Sequence, residues 1–204
     1  MKLTQQRLRQ LILESLGLSK ILFVFDFDDT LALTDSVVQL VRRGKKYILD
    51  SHDFAKYAYQ PGDQLDFSDF GRVNGQLIPR TMEILSDALE KGQDVVVITA
   101  RPPEAAPGIQ EFFLQNGMQP PPIYTTSGSA NKIPVLERIL TDGNYHRVIV
   151  YEDCMHNIDS LKQVADNLGI PYHAMCILSD TQMKKIYESR KSRVRDRYGL
   201  TRQS

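Results

Sequence analysis

Asp26 and Asp28 stand two residues apart in Asp26-Phe27-Asp28-Asp29-Thr30, directly after the apolar run Ile21-Leu22-Phe23-Val24-Phe25. Two carboxylates at that spacing repel each other unless a cation or a substrate compensates them. A hard divalent cation such as magnesium is the natural partner, because it takes oxygen ligands and keeps several of its waters. Asp153, in Glu152-Asp153 at the end of the run Val148–Tyr151, is in place to complete such a site. Phosphate esters are then the expected substrates, since magnesium and a lysine neutralise the same oxygens during phosphoryl transfer. Thr99 and Arg101 follow a further run, Val95–Ile98, and Lys132 sits between Asn131, a helix-capping type, and Pro134, suited to a first helical turn.

Side chains so far apart in sequence meet only if regular elements carry them. Short continuous apolar runs at 21–25, 95–98, 123–124, 148–151 and 174–178 read as strands covered on both faces. Between and after them the spacing predicts helices over roughly 80–91, 104–116, 132–141, 157–168 and 181–198. Residues 3–18, with Leu8, Leu11, Ile12 and Leu16 in register and Gly17 at the end, read as an amphipathic first helix. Strands alternating with helices predict an α/β fold, a three-layer Rossmann-like arrangement with a central parallel sheet. Ligands of such sheets gather at the carboxyl ends of the strands. Asp26 and Asp28, Thr99 and Arg101, and Glu152 and Asp153 all fall at such ends. Residues 31–79 break the alternation and read as a small cap or lid inserted over them.

In order along the chain, Asp26-Phe27-Asp28-Asp29-Thr30, Val97-Ile98-Thr99, Lys132 and Glu152-Asp153 resemble the four short motifs of the haloacid dehalogenase superfamily, in its phosphohydrolase branch. An acidic pair alone reads as a turn or a helix cap; four motifs in order read otherwise. The resemblance implies that Asp26 attacks phosphorus and becomes an aspartyl-phosphate, splitting one displacement into two. It implies that Asp28 acts as general acid and then general base. Thr99 and Lys132 would hold phosphoryl oxygens, and magnesium would sit on Asp153, Asp26 and the main-chain carbonyl of Asp28. The fourth motif departs from the family's usual acidic pattern, with Asn157 at the later acidic position. Glu152 is therefore a secondary ligand candidate and Asn157 an outer partner. Arg101 has two readings: it binds a phosphate or the distal part of a substrate, or it fixes the loop after its strand.

The segment 31–79 concentrates Tyr47, Phe54, Tyr57, Tyr59, Phe67 and Phe70, six of the chain's 17 aromatics, with Asp50, Asp53, Asp63, Asp66 and Asp69 interleaved. These rings pack on one another in a small lid, or they offer a platform on which a nucleobase stacks. Val95 to Arg101 and Tyr151-Glu152-Asp153 are also similar to segments of the phosphatase domain of polynucleotide kinase-phosphatases and related RNA-repair phosphatases. That likeness implies a nucleotide or a nucleic-acid terminal phosphate as substrate. Two rival functions are a small-metabolite phosphatase, for sugar phosphates, and a binding module that grips nucleic acid without turnover. No Gly-rich loop ending in Gly-Lys-Ser or Gly-Lys-Thr occurs, so no kinase half is expected in this sequence.

Composition frames these readings. With 204 residues, 42% apolar, the chain suffices for one well-buried domain with terminal extensions at 1–18 and 181–204. Cys154 and Cys176 make no disulfide framework and no zinc spacing, and the N-terminus lacks the apolar core of a secretory signal, so a soluble, cytoplasmic protein is expected, without membrane or obligate protein partner. Twenty-five basic residues balance 25 acidic ones. The balance is uneven, because residues 181–204 carry a net +6 and the rest of the chain −6. The basic tail reads as a solvated face or as a guide for a polyanionic substrate.

Overall fold

The computed structural model describes residues 20–50, 53–54, 57–126 and 131–177, together with 12, 185, 188–190, 192–194 and 197–198. The first helix of the sequence reading lies outside the described residues save for Ile12, which is helical, as are the described residues from 185 onward. Five strands form one parallel sheet: β1 (Ile21–Phe25), β7 (Asp94–Thr99), β8 (Ile123–Thr125), β9 (Arg147–Glu152) and β10 (Tyr172–Cys176). Their order is β10-β9-β1-β7-β8. The chain thus runs from β1 outward through β7 and β8, then returns to the other side of β1 for β9 and β10. The order reverses between β1 and β9, where a doubly wound sheet leaves its crevice.

Four helices cover the sheet: α1 (Pro79–Glu90), α2 (Ala106–Gln115), α3 (Ile133–Gly143) and α4 (Met155–Asn167). The continuous apolar runs have a simple cause, since successive strand residues point to opposite faces and both faces are buried. Phe25, Val95 and Val97 pack with Met82 and Leu85 of α1 and with Ile109, Phe112 and Phe113 of α2. Leu22, Val24, Val96, Ile98, Val148 and Val150 pack on the opposite side with Leu136 and Leu140 of α3 and Leu161 and Val164 of α4. The result is a three-layer Rossmann-like α/β fold.

Most boundaries shift by one or two residues from the sequence reading, and two of the shifts have a plain cause. β10 begins at Tyr172 and ends at Cys176, whereas apolarity alone placed it at 174–178; its register is fixed by β9, with Tyr172 opposite Val148 and Cys176 opposite Glu152. Helix α4 begins at Met155, two residues before the expected 157, because Cys154 is still extended and the turn starts directly after it.

Between β1 and α1 the chain builds two small antiparallel sheets. One pairs β2 (Ala32–Thr34) with β6 (Gly75–Leu77). The other has β3 (Val37–Arg42) between β4 (Lys45–Asp50) and β5 (Gln64–Asp66), with a short 3₁₀ helix at Ser68–Gly71. The β3–β4 hairpin turns on Arg43 and Gly44, both at positive φ, the conformation a tight two-residue hairpin requires. This segment meets the main body closely at Gly108 of α2, where an added Cβ would lie 2.7 Å from the Gly71 carbonyl oxygen.

Candidate active site

β1 ends at Phe25 and β9 at Glu152, so Asp26, Glu152 and Asp153 flank the crevice where the strand order reverses. Asp26 is anchored across it, its main-chain N–H donating to the Tyr151 carbonyl at 3.0 Å. Lys132 arrives from the loop before α3, where the Asn131 side chain accepts the Ile133 N–H at 3.1 Å. The lysine is buried and donates to Asp26 Oδ1 at 2.5 Å and to Glu152 Oε2 at 2.7 Å. Asn157, in the first turn of α4, donates to the other Glu152 oxygen at 3.1 Å. Carboxylate oxygens of Asp26, Glu152 and Asp153 all lie within 4.8 Å of one another.

Three carboxylates thus share one ammonium's site, with Lys132 on Asp26 and Glu152, and Asp153 beside those two acids. Burial pushes the Asp26 carboxyl up to about 8, with Lys132 opposing and Glu152 and Asp28 adding to the rise. Asp153 is raised well above its ordinary value by burial and by Glu152, Asp26 and Asp29. Burial works against the charge of Lys132, yet Asp26 and Glu152 raise it, so the ammonium stays charged. Protons are therefore retained where positive charge is short. Three carboxyl groups against one ammonium, offered as hard oxygens in one cluster, fit one divalent cation such as magnesium.

The second aspartate of the motif has a different environment. Arg101 forms a bidentate pair with Asp28, from Nε at 2.9 Å and Nη2 at 2.7 Å, and Thr34 Oγ1 donates at 2.5 Å. Burial works against the Asp28 charge, but Arg101 and Thr34 overcome it and hold its carboxyl below the ordinary value. In this arrangement Asp28 is a proton acceptor, and proton donation by it requires the Arg101 contact to loosen. Arg101 is itself buried, its guanidinium lying between the Phe27 and Phe70 rings, 5.2 and 4.5 Å from their centroids. Its Nη2 also reaches Thr34 and Ser36, so it fixes the start of the inserted segment. Its Nη1 finds no hydrogen-bond partner among the described residues. Thr99 is fully buried at the end of β7, where its hydroxyl accepts the Arg101 N–H at 3.2 Å.

Neither a protein-family model nor a curated protein matches the chain. Two solved structures are similar to it in part. One is a chain of "Structure of the Pnkp1/Rnl/Hen1 RNA repair complex", at 13% identity and a TM-score of 0.49 over 77% of this chain and 42% of that one. The other is a chain of "Structure of Pnkp1/Rnl/Hen1 complex", at 13% identity and 0.46, over 77% and 46%. This chain spans less than half the length of either.

Of the residues singled out from sequence, Asp26, Lys132, Glu152 and Asp153 come together in one cluster, Asn157 joins it through Glu152, and Asp28, Thr99 and Arg101 form an adjoining group. One reading is corrected. The basic tail is not a uniformly solvated face: Arg190 is fully buried on Asp29, and Arg193 and Arg197 pair with Asp35 and Asp69. Charge counting misses this because it does not see which acids face the tail. Of the two readings of the lid rings the packed one is observed for most of them, Phe54 against Tyr57 and Phe67, and Phe67 against Phe70, with Tyr47 and Tyr59 exposed. Sequence reasoning gave no role to Asp29, Thr34, Ser36 or Arg190. Asp29 carried a signal, being a third acid in a strand-end loop, but its partner 161 residues away had none.

Among the described residues no helix is long and apolar enough to cross a membrane.

Proposed function

We propose that this chain is a magnesium-dependent phosphomonoester hydrolase of the haloacid dehalogenase type, working through an aspartyl-phosphate. The observation that carries the reading is the cluster of Asp26, Glu152 and Asp153 at the reversal of strand order, with Lys132 paired to the first two. Asp26 attacks phosphorus; a P–O bond to its carboxylate forms, the P–O bond to the leaving group breaks, and Asp28, its Arg101 contact loosened, gives the leaving oxygen its proton. Water then attacks the same phosphorus, Asp28 takes its proton, and inorganic phosphate leaves Asp26 free. Lys132 draws a phosphoryl oxygen toward the nucleophile and offsets the charge that two anions bring together. Thr99, and the unpartnered Nη1 of Arg101, are the remaining donors for phosphoryl oxygens. Asp26 and Asp153, with Glu152 beside them, would hold magnesium, which when bound neutralises charge on the transferring group.

The substrate we assign is a nucleotide or the terminal phosphate of a nucleic acid, on the strength of the Val95 to Arg101 and Tyr151 to Asp153 segments. The inward packing of the lid rings favours a second reading, a small-metabolite phosphatase with no stacked base. Two cysteines carried as thiols fit work in the reducing cytoplasm.

The test is phosphate release with and without magnesium from mononucleotides, from 3′- and 5′-phosphorylated oligonucleotides, from sugar phosphates and from an aryl phosphate. Release from at least one, lost on chelation and in Asp26→Asn, is expected. Faster release from sugar phosphates than from any nucleotide assigns the second reading. A folded Asp26→Asn variant that keeps wild-type turnover overturns the proposal, and absence of release from every compound leaves the non-catalytic module.

A further inference from the structure

Three arginines of the C-terminal helical segment reach aspartates lying 128 to 161 residues earlier in the chain. Arg193 donates to both oxygens of Asp35, at 2.9 and 2.6 Å, and Arg197 to Asp69 at 2.8 Å. These outer pairs are substantially exposed, which makes each of them weak. The third is different in kind. Arg190 sets both terminal nitrogens on the Asp29 carboxylate, Nη1 at 3.1 Å, with the two side chains only 1% and 2% exposed. A bidentate guanidinium–carboxylate pair fixes direction as well as distance.

Asp29 directly follows Asp28, and it holds an uncommon conformation. Its φ of 62° is left-handed, a region uncommon for residues with a side chain and visited by Asp more readily than by most. The turn is closed by its own N–H on the Ala32 carbonyl at 2.8 Å, and by the Leu31 and Ala32 N–H groups on the Phe27 carbonyl at 2.9 and 3.0 Å. Those bonds define the loop's width. The first of them holds the peptide between Asp28 and Asp29, and Arg190 adds a grip on the Asp29 side chain that supports its left-handed conformation.

We propose that Arg190 is a positioning residue of the candidate active site: through Asp29 it steadies the turn that presents the Asp28 main-chain carbonyl at the cation position, while Arg101 and Thr34 hold the Asp28 carboxylate. The inference rests on the phosphatase reading. It makes the C-terminal segment a working part of the catalytic unit, and it explains why a tail arginine lies deeper than any other tail residue described. Arg190 itself touches no substrate in this scheme.

The experiment compares wild type, Arg190→Gln, Arg190→Lys and Arg193→Ala, each checked for native circular dichroism and melting below and above the assay temperature. Two quantities are read: kcat and KM for magnesium-dependent hydrolysis of an aryl phosphate, and the magnesium concentration that half-saturates the metal-induced rise in melting temperature. The expected result for Arg190→Gln is a kcat lower by about a hundredfold with KM nearly unchanged, because a misaimed group costs the reaction step rather than binding. Magnesium affinity should weaken in the same variant. Arg190→Lys, which keeps the charge but not the fork, should recover part of both and supplies the answer if the glutamine variant does not fold. Arg193→Ala should match wild type. A folded Arg190 variant within about twofold of wild type in kcat overturns the proposal while the phosphatase reading stands. If wild type itself releases no phosphate, the phosphatase reading fails, and the magnesium titration alone decides: weaker affinity in Arg190→Gln keeps the positioning role, and equal affinity overturns it.

Discussion

Asp26 and Asp63 are both buried aspartates paired with a basic side chain, yet their carboxyls are driven in opposite directions. In the inserted segment, Arg42 gives Asp63 two hydrogen bonds at 2.9 Å, the Tyr57 hydroxyl donates a further one, and the Gln60 N–H adds another at 2.8 Å. Arg42 above all, with Tyr57 and Gln60, holds that carboxyl far below the usual range. In the pit at the end of β1, one lysine is shared between Asp26 and Glu152 with Asp153 close by, and Asp26 is pushed up. One acid with more donors than it needs is a structural staple. Three acids with one lysine are stable only when something else arrives, which is the signature of a site.

The contrast is broken most severely at Lys132. Lys132→Met leaves Asp26 and Glu152 buried without their cation, and unfolding free energy should fall by about 3–5 kcal/mol in metal-free protein. Magnesium should restore part of that loss, and turnover should drop by about 10³-fold or more. Urea unfolding with and without magnesium, beside phosphate release, measures all three. Equal stability of the variant and wild type without metal would mean that the pit is already balanced.

Titration sharpens the same comparison. Between its ordinary 3.8 and about 8, the folded metal-free protein keeps on Asp26 a proton that the unfolded chain has released. Stability therefore falls as pH rises through that window. Asp63 has the opposite sign: its carboxyl is lowered, so its contribution is complete above the ordinary value and is lost as pH falls below it. Melting temperatures in chelator over roughly pH 3 to 8 should show Asp26→Asn flattening the decline on the alkaline side. Asp63→Asn should flatten the acid limb instead. Magnesium should remove the Asp26-dependent decline, and an unchanged profile in Asp26→Asn would refute the charge excess.

The smallest effect on chemistry belongs to the staple. Arg42→Met should lower the melting temperature and loosen the packing around Tyr57, with kcat on an aryl phosphate changed by less than about threefold. A large loss of kcat at unchanged melting temperature would instead bring this end of the inserted segment into the reaction.

How much of this was legible beforehand follows from the physics of each part. Strands β1, β7 and β9 announced themselves because burial on both faces demands unbroken apolar runs, and Asp26, Glu152 and Asp153 were visible as acids placed directly after them. Lys132 was visible through its place before a helix start. The three-residue strands β2 and β6 were not, since their existence depends on pairing with each other rather than on a pattern within either. Arg101 carried two readings because sequence does not show which acid a guanidinium meets; the structure sets it on Asp28. Arg190 and Asp29 were invisible as a pair for the same reason, and the tail's charge read as solvent-facing until its partners were seen.

The account turns on Asp26 as the group that takes the phosphoryl. Rapid acid quench of the enzyme turning over a ³²P-labelled phosphate ester with magnesium, followed by peptide mapping, tests this directly. The account predicts acid-stable label on the peptide containing Asp26 in wild type and none in Asp26→Asn. Phosphate release with no label on that peptide at any quench time, or with turnover surviving in Asp26→Asn, would contradict it.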